Sequence, residues 1–189
     1  MAEIATRYDT VAGGFTDRVN AVAADAWDNS TPCEGWVARD IVRHVTEWIP
    51  AFFNNSAGLE LPTGISVDDD PVGAWAALHA SLRRTLADTA VAQREFDGPP
   101  GRMRVEQSID MIVTGDLLIH TWDLARATGL DETLDATEAS RMLAGVEPID
   151  EMLRSSGHYG PRVIVSEDAD VTAKLVAFMG RNPASPPAE

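Results

Sequence analysis

Residues 115–129, G-D-L-L-I-H-T-W-D-L-A-R-A-T-G, decide how this chain is read. Good helix formers, the absence of proline and a stop at Gly129 predict a helix. Ile109, Ile112 and Val113 before it, with Leu124 and Ala127 inside it, recur at steps of three and four and form one stripe. Asp116 and His120 fall on that stripe, where apolar side chains are expected. An aspartate facing a core is costly to bury without a cation or hydrogen-bond donors, so the pair asks for a partner.

The segments around it are helical as well. Ile4, Tyr8, Val11, Phe15, Val19 and Val22 mark a first helix, and Gly13 and Gly14 inside it predict a bend or close packing. The T-P-C-E-G-W segment at 31–36 breaks the pattern. A second stripe follows in Ile41, Val45, Trp48, Ile49, Phe52 and Phe53, with His44 lying on it and Pro50 expected to kink it. Val72, Trp75, Leu78, Leu82 and Leu86 mark a third helix. Residues 91–107, including F-D-G-P-P-G, read as a long connection. D-A-T-E at 135–138 reads as a capping box for a fifth helix that Pro148 interrupts. Residues 162–165 read as a short extended segment and 170–179 as a last helix closed by Gly180. Five or six helices with at most one lone strand predict an all-α four-helix bundle with a short C-terminal appendage. The expected organisation is one domain over residues 1–183 and a disordered tail at 184–189.

Bulk properties narrow the partners. The 189 residues suit one domain with a sizeable core. Thirty acidic residues against 15 basic ones give a formal charge of −15, which repels a phosphate backbone and an anionic membrane alike. Neither nucleic acid nor a membrane is an expected partner. No apolar run is long enough to span a bilayer, and the first residues lack a basic segment followed by an apolar one, so a cytoplasmic location is expected. One cysteine, Cys33, excludes an intrachain disulfide.

Asp116 and His120, four residues apart, share one helix face and could share one metal ion. His44 lies on the apolar face of a different helix, and a bundle could set it opposite that pair. Two imidazoles and one carboxylate make a three-ligand site with positions left for water or substrate, as in catalytic rather than structural zinc sites. Nickel, iron(II) and manganese suit the same set. The plainer alternative is a satisfied core histidine and a hydrogen-bonded Asp/His pair.

Other residues carry plainer readings than these three. Cys33 precedes His44 by 11 residues, on the order of 15 Å if most of the interval is helical, which makes it a small buried side chain rather than a ligand. His79 and His158 read as solvated or capping histidines. Asp123, three residues from both His120 and Arg126, is expected to pair with Arg126; orienting His120 is its other reading. Trp36, Trp48 and Trp122 read as core, with a pocket wall as the alternative.

T-P-C-E-G-W-V-A-R-D-I-V-R-H-V at 31–45, D-L-L-I-H-T-W-D-L-A-R-A-T-G at 116–129 and G-R-N-P at 180–183 together resemble an actinobacterial family of metal-binding proteins. That family is similar to the N-terminal domain of mycothiol-dependent maleylpyruvate isomerase, within the DinB-like superfamily. The resemblance implies a DinB-like bundle whose metal is held by His44, Asp116 and His120. It also implies mycothiol, or a related small thiol, as cosubstrate. The isomerase carries a glutamate where this chain has Asp116 and a substantial C-terminal domain where this chain has a short appendage, so maleylpyruvate itself is not carried over.

The functional expectation is a divalent-metal-binding protein, zinc first, acting as a mycothiol-dependent transferase or isomerase on a small electrophile. The alternative is a non-catalytic metal- or ligand-binding protein of the same fold. A homodimer is compatible with either. No catalytic or thiol-binding residue is assigned.

Overall fold

The computed structural model describes residues 2–61, 64–98, 101–155 and 160–185. His158 and residues 186–189 of the expected tail lie outside the described residues. Among those described, the chain is mostly helical, in agreement with an all-α DinB-like fold.

Four long helices form the bundle: α1 (Ala2–Ala21), α2 (Ala38–Ala57), α3 (Pro71–Ala87) and α6 (Thr114–Thr128). Helix α1 packs on α6 and α3, and α2 packs on α3 and α6. The sequence stripes meet in one core, where Tyr8, Phe15, Ile41, Trp75, Leu117 and Leu124 are fully buried. Trp75 sets its edge on Phe15 at 4.8 Å and donates its indole N–H to Thr16 Oγ1, so the largest buried side chain leaves no orphaned donor.

Caps explain where these helices start and stop. Asp70 accepts from the Gly73 N–H ahead of Pro71 at the first position of α3. Gly58 and Gly129 close α2 and α6 in the left-handed region, at φ 55° and 67°. Helix α2 runs on through Pro50 to Ala57. The expected close packing at Gly13 and Gly14 is corrected: α1 runs through both, and a Cβ on either would meet nothing within 4 Å.

The expected long connection at 91–107 is also corrected. It holds a one-turn helix α4 (Thr89–Ala92), an antiparallel hairpin of β1 (Glu95–Gly98) and β2 (Gly101–Arg104), and a one-turn helix α5 (Val105–Ser108). Phe96 pairs with Met103, and both are buried. With one apolar residue per strand, the period-two signal was too short to read. From α5 the chain passes through a π turn, Ile109–Val113, directly into α6.

Beyond the bundle come α7 (Ala136–Val146), a 3-10 turn at Glu147–Ile149 where Pro148 interrupts it, α8 (Asp150–Ser155) and α9 (Val171–Phe178). Helix α7 packs on α9 and α6. Asp135 caps α7 through the Thr137 and Glu138 N–H groups, but Glu138 turns to Arg7 instead of completing a capping box. Residues 162–165 form no strand; Val163 donates its N–H to the Ala177 carbonyl. Among the described residues no helix is long and apolar enough to cross a membrane.

Candidate metal centre

Helix α2 turns Ile41, Val45, Ile49 and Phe53 into the core and leaves His44 and Trp48 half-buried on the flank facing α6. Helix α6 is buried around nearly its whole girth; His120 is buried, and Asp116, one turn before it, is half-buried. In the π turn ahead of α6 the Ile109 carbonyl accepts both the backbone N–H and the Oγ1 hydroxyl of Thr114.

The three residues expected to act together do meet. Asp116 stands between two imidazoles: its Oδ2 is 3.5 Å from His44 Nε2, and its Oδ1 is 3.5 Å from His120 Nε2. All three donor atoms lie within 4.8 Å of one another. A tetrahedral ion with bonds of ~2.0–2.2 Å sets neighbouring donors about 3.3–3.6 Å apart, and each imidazole stands at that spacing from one oxygen of Asp116, so the donor set suits a small divalent cation. The imidazole planes cross at 70° with centroids 4.9 Å apart, which keeps the two rings from stacking flat.

Three further features complete the surroundings, and for Asp123 it is the second of the two readings given above, orienting His120, that the structure shows. Trp48 Nε1 donates to Asp116 Oδ2 at 3.0 Å. Trp36 lies against both histidines, at 5.0 Å from the His44 ring and 6.0 Å from that of His120. Asp123 does not pair with Arg126, as was expected from spacing. Its Oδ2 is 3.0 Å from His120 Nδ1, and both its oxygens accept from Arg181, at 3.1 and 2.8 Å. Arg126 instead binds Glu132 and the Pro183 and Ser185 carbonyls and lies over Trp122, which is core. A histidine ligand whose far nitrogen is held by a carboxylate keeps its ring orientation and tautomer fixed.

The placement of Cys33 is corrected too. The 31–36 loop is a tight turn in which Trp36 donates its N–H to the Cys33 carbonyl and Gly35 takes φ 77°. The interval to His44 is therefore folded back rather than extended, and Cys33 Sγ comes to 3.4 Å from Asp123 Oδ2. His79 is neither solvated nor a cap: its Nδ1 is 2.9 Å from the Tyr8 hydroxyl and its ring stacks on Trp75.

Charge in the site is balanced by these contacts. Burial alone would push the Asp116 carboxyl up, but the His120 charge and hydrogen bonds from His44 and Trp48 hold it below the usual range. Burial likewise opposes a charged His120, yet Asp116 and Asp123 win and raise it to about 10. Asp123, wholly buried, is lowered to about 2 by His120 and Arg181 against its own desolvation.

No solved structure matches the chain. Two uncharacterized proteins of Mycobacterium tuberculosis, from strains CDC 1551 / Oshkosh and ATCC 25618 / H37Rv, are each 28% identical to it over 165 residues, covering 85% of this chain and 87% of the relative. The model of the mycothiol maleylpyruvate isomerase N-terminal domain matches residues 9–125, which takes in α1 from Asp9 on, α2, α3 and the α6 residues that face His44. By that match, over more than half its length, the chain belongs to the family of the mycothiol maleylpyruvate isomerase N-terminal domain.

Proposed function

We propose that this protein binds one divalent metal ion through His44, Asp116 and His120 and works as a mycothiol-dependent transferase or isomerase on a small electrophile. The observation that carries the reading is the 3.5 Å spacing of the Asp116 oxygens from both imidazole Nε2 atoms. Zinc suits the donor set first; nickel, iron(II) and manganese suit it next. Three protein donors leave a position open, and with one carboxylate among them a divalent ion keeps a local charge of about +1 that favours an incoming thiolate. When bound, such an ion lowers the pKa of a coordinated thiol and so supplies the nucleophile at neutral pH.

The chain's own residues prepare that position. Asp123 engages His120 Nδ1, so Nε2 is the nitrogen turned to Asp116 and the one that would give up its proton to a metal. Trp48 fixes the Asp116 carboxylate, and Trp36 covers both rings and keeps water from one side of them.

The test is protein purified without chelator, with metal counted per chain and the ion then exchanged for cobalt(II). Titration with mycothiol should raise a sulfur-to-cobalt charge-transfer band in the near ultraviolet that saturates near one thiol per metal. Metal without any thiol response would leave a non-catalytic metal-binding protein. A thiol response without turnover of a generic electrophile would leave a ligand-binding one.

A further inference from the structure

Two sets of metal-ligating side chains meet at His120, one on each ring nitrogen. His44 and Asp116 stand on the Nε2 side. Cys33 and Asp123 stand on the other, and with His120 they too bring their donor atoms within 4.8 Å of one another. By donor chemistry the second set is the stronger competitor for zinc, because it offers a thiolate in place of a second imidazole.

That second set already faces a cation. Arg181 lays Nε and Nη2 on the two oxygens of Asp123 and brings Nη2 to 3.4 Å from Cys33 Sγ. Its remaining nitrogen, Nη1, donates to the Met179 carbonyl, and its backbone N–H donates to the Val176 carbonyl, so the guanidinium is fixed at the end of α9. An arginine is charged at any working pH and offers its donors in a rigid fork. A metal ion bound by Cys33 and Asp123 would have to displace it.

Resting on the metal reading above, we propose that Arg181 determines which side of His120 takes the metal. Its guanidinium is a resident cation in the Cys33–His120–Asp123 group. It keeps Cys33 out of the coordination sphere and leaves the ion with the nitrogen and oxygen donors of His44, Asp116 and His120. The metal therefore meets its sulfur from an incoming thiol and not from the protein. Arg181 is thus a positioning and selectivity residue; it lies beyond residues 9–125, in the G-R-N-P segment at 180–183.

The experiment is cobalt(II) titration of four proteins without added thiol: the natural chain, Arg181→Ala, Arg181→Gln and Arg181→Ala/Cys33→Ser. The natural chain should bind one ion with no sulfur band. Both single variants should show a sulfur-to-cobalt band, and Cys33→Ser should abolish it. Affinity at the original site should also fall about 10- to 100-fold as the Asp123 carboxylate loses the fork that orients it toward His120. Arg181→Gln removes the charge but keeps a shorter polar side chain, so it reports even where the alanine variant does not fold. A sulfur band in the natural chain overturns the proposal. So does its absence from a folded Arg181→Gln that still binds cobalt, and in that case the metal reading survives. A natural chain that binds no cobalt overturns both.

Discussion

Trp48 on α2 donates its indole N–H to Oδ2 of Asp116 on α6 at 3.0 Å, and the same oxygen faces His44 at 3.5 Å. One carboxylate oxygen is thus shared between a fixed donor and a ligand position. Trp48→Phe keeps the aromatic bulk and removes the donor, so it should weaken metal binding about tenfold with unchanged helical circular dichroism. Affinity measured by competition with a chromophoric chelator checks this; an unaltered value would mean that Asp116 needs no help to hold its orientation.

His44→Ala and His120→Ala each take away one of three donors. Saturation with metal at a hundred times its Kd should stabilise the natural chain by about 2.7 kcal/mol, and both variants should lose most of that shift in thermal melts. A chelator should return the natural chain to its metal-free melting temperature. Full metal occupancy in the double variant would remove the site.

Cys33→Ser should leave one metal per chain and cost less than about 1 kcal/mol of stability. The contacts of Cys33 Sγ with Asp123 and Arg181 are long, at 3.4 Å, and a hydroxyl can replace both of them. Loss of metal from a folded Cys33→Ser would make the thiol a ligand after all.

Arg7 joins three elements: its Nε donates to Glu138 on α7, and its Nη1 donates to the Asp110 side chain and carbonyl in the π turn. The side chains of Arg7 and Glu138 are each only 10% exposed, so Arg7→Met strands a largely buried carboxylate. The expected loss is about 3 kcal/mol, read as a lowered urea midpoint with an unchanged slope. Arg102, whose partner Glu95 lies in the exposed hairpin, is the control, and Arg102→Met should leave the midpoint where it was.

Much of the bundle was legible because its helices repeat apolar residues at the helical period, from Ile4 to Val22 and from Ile41 to Phe53. The Asp116–His120 pair was legible for the same reason, since four residues along a helix return to one face whatever the tertiary structure. What escaped depends on side chains that meet across long separations. Nothing local distinguishes Arg126, three residues from Asp123, from Arg181, which is 58 residues away and makes the actual bond. The direction of the Trp48 indole follows from how α2 lies on α6, and the folding back of Cys33 follows from a turn that a count along the helix axis ignores. The π turn at Ile109–Val113 carries no residue signature at all.

The bond between Asp123 and Arg181 also imposes an order in time. A chain growing on the ribosome completes α1, α2, α3 and α6 long before residue 181 leaves the exit tunnel. Through that interval Asp123 has only the proton of His120 to offset its charge, and the thiol of Cys33 lies beside it with no guanidinium between them. An ion that arrives early meets both ligand sets open, whereas one that arrives after release meets a single choice. On the proposed metal reading, where in the life of the chain an ion is loaded therefore bears on which atoms hold it.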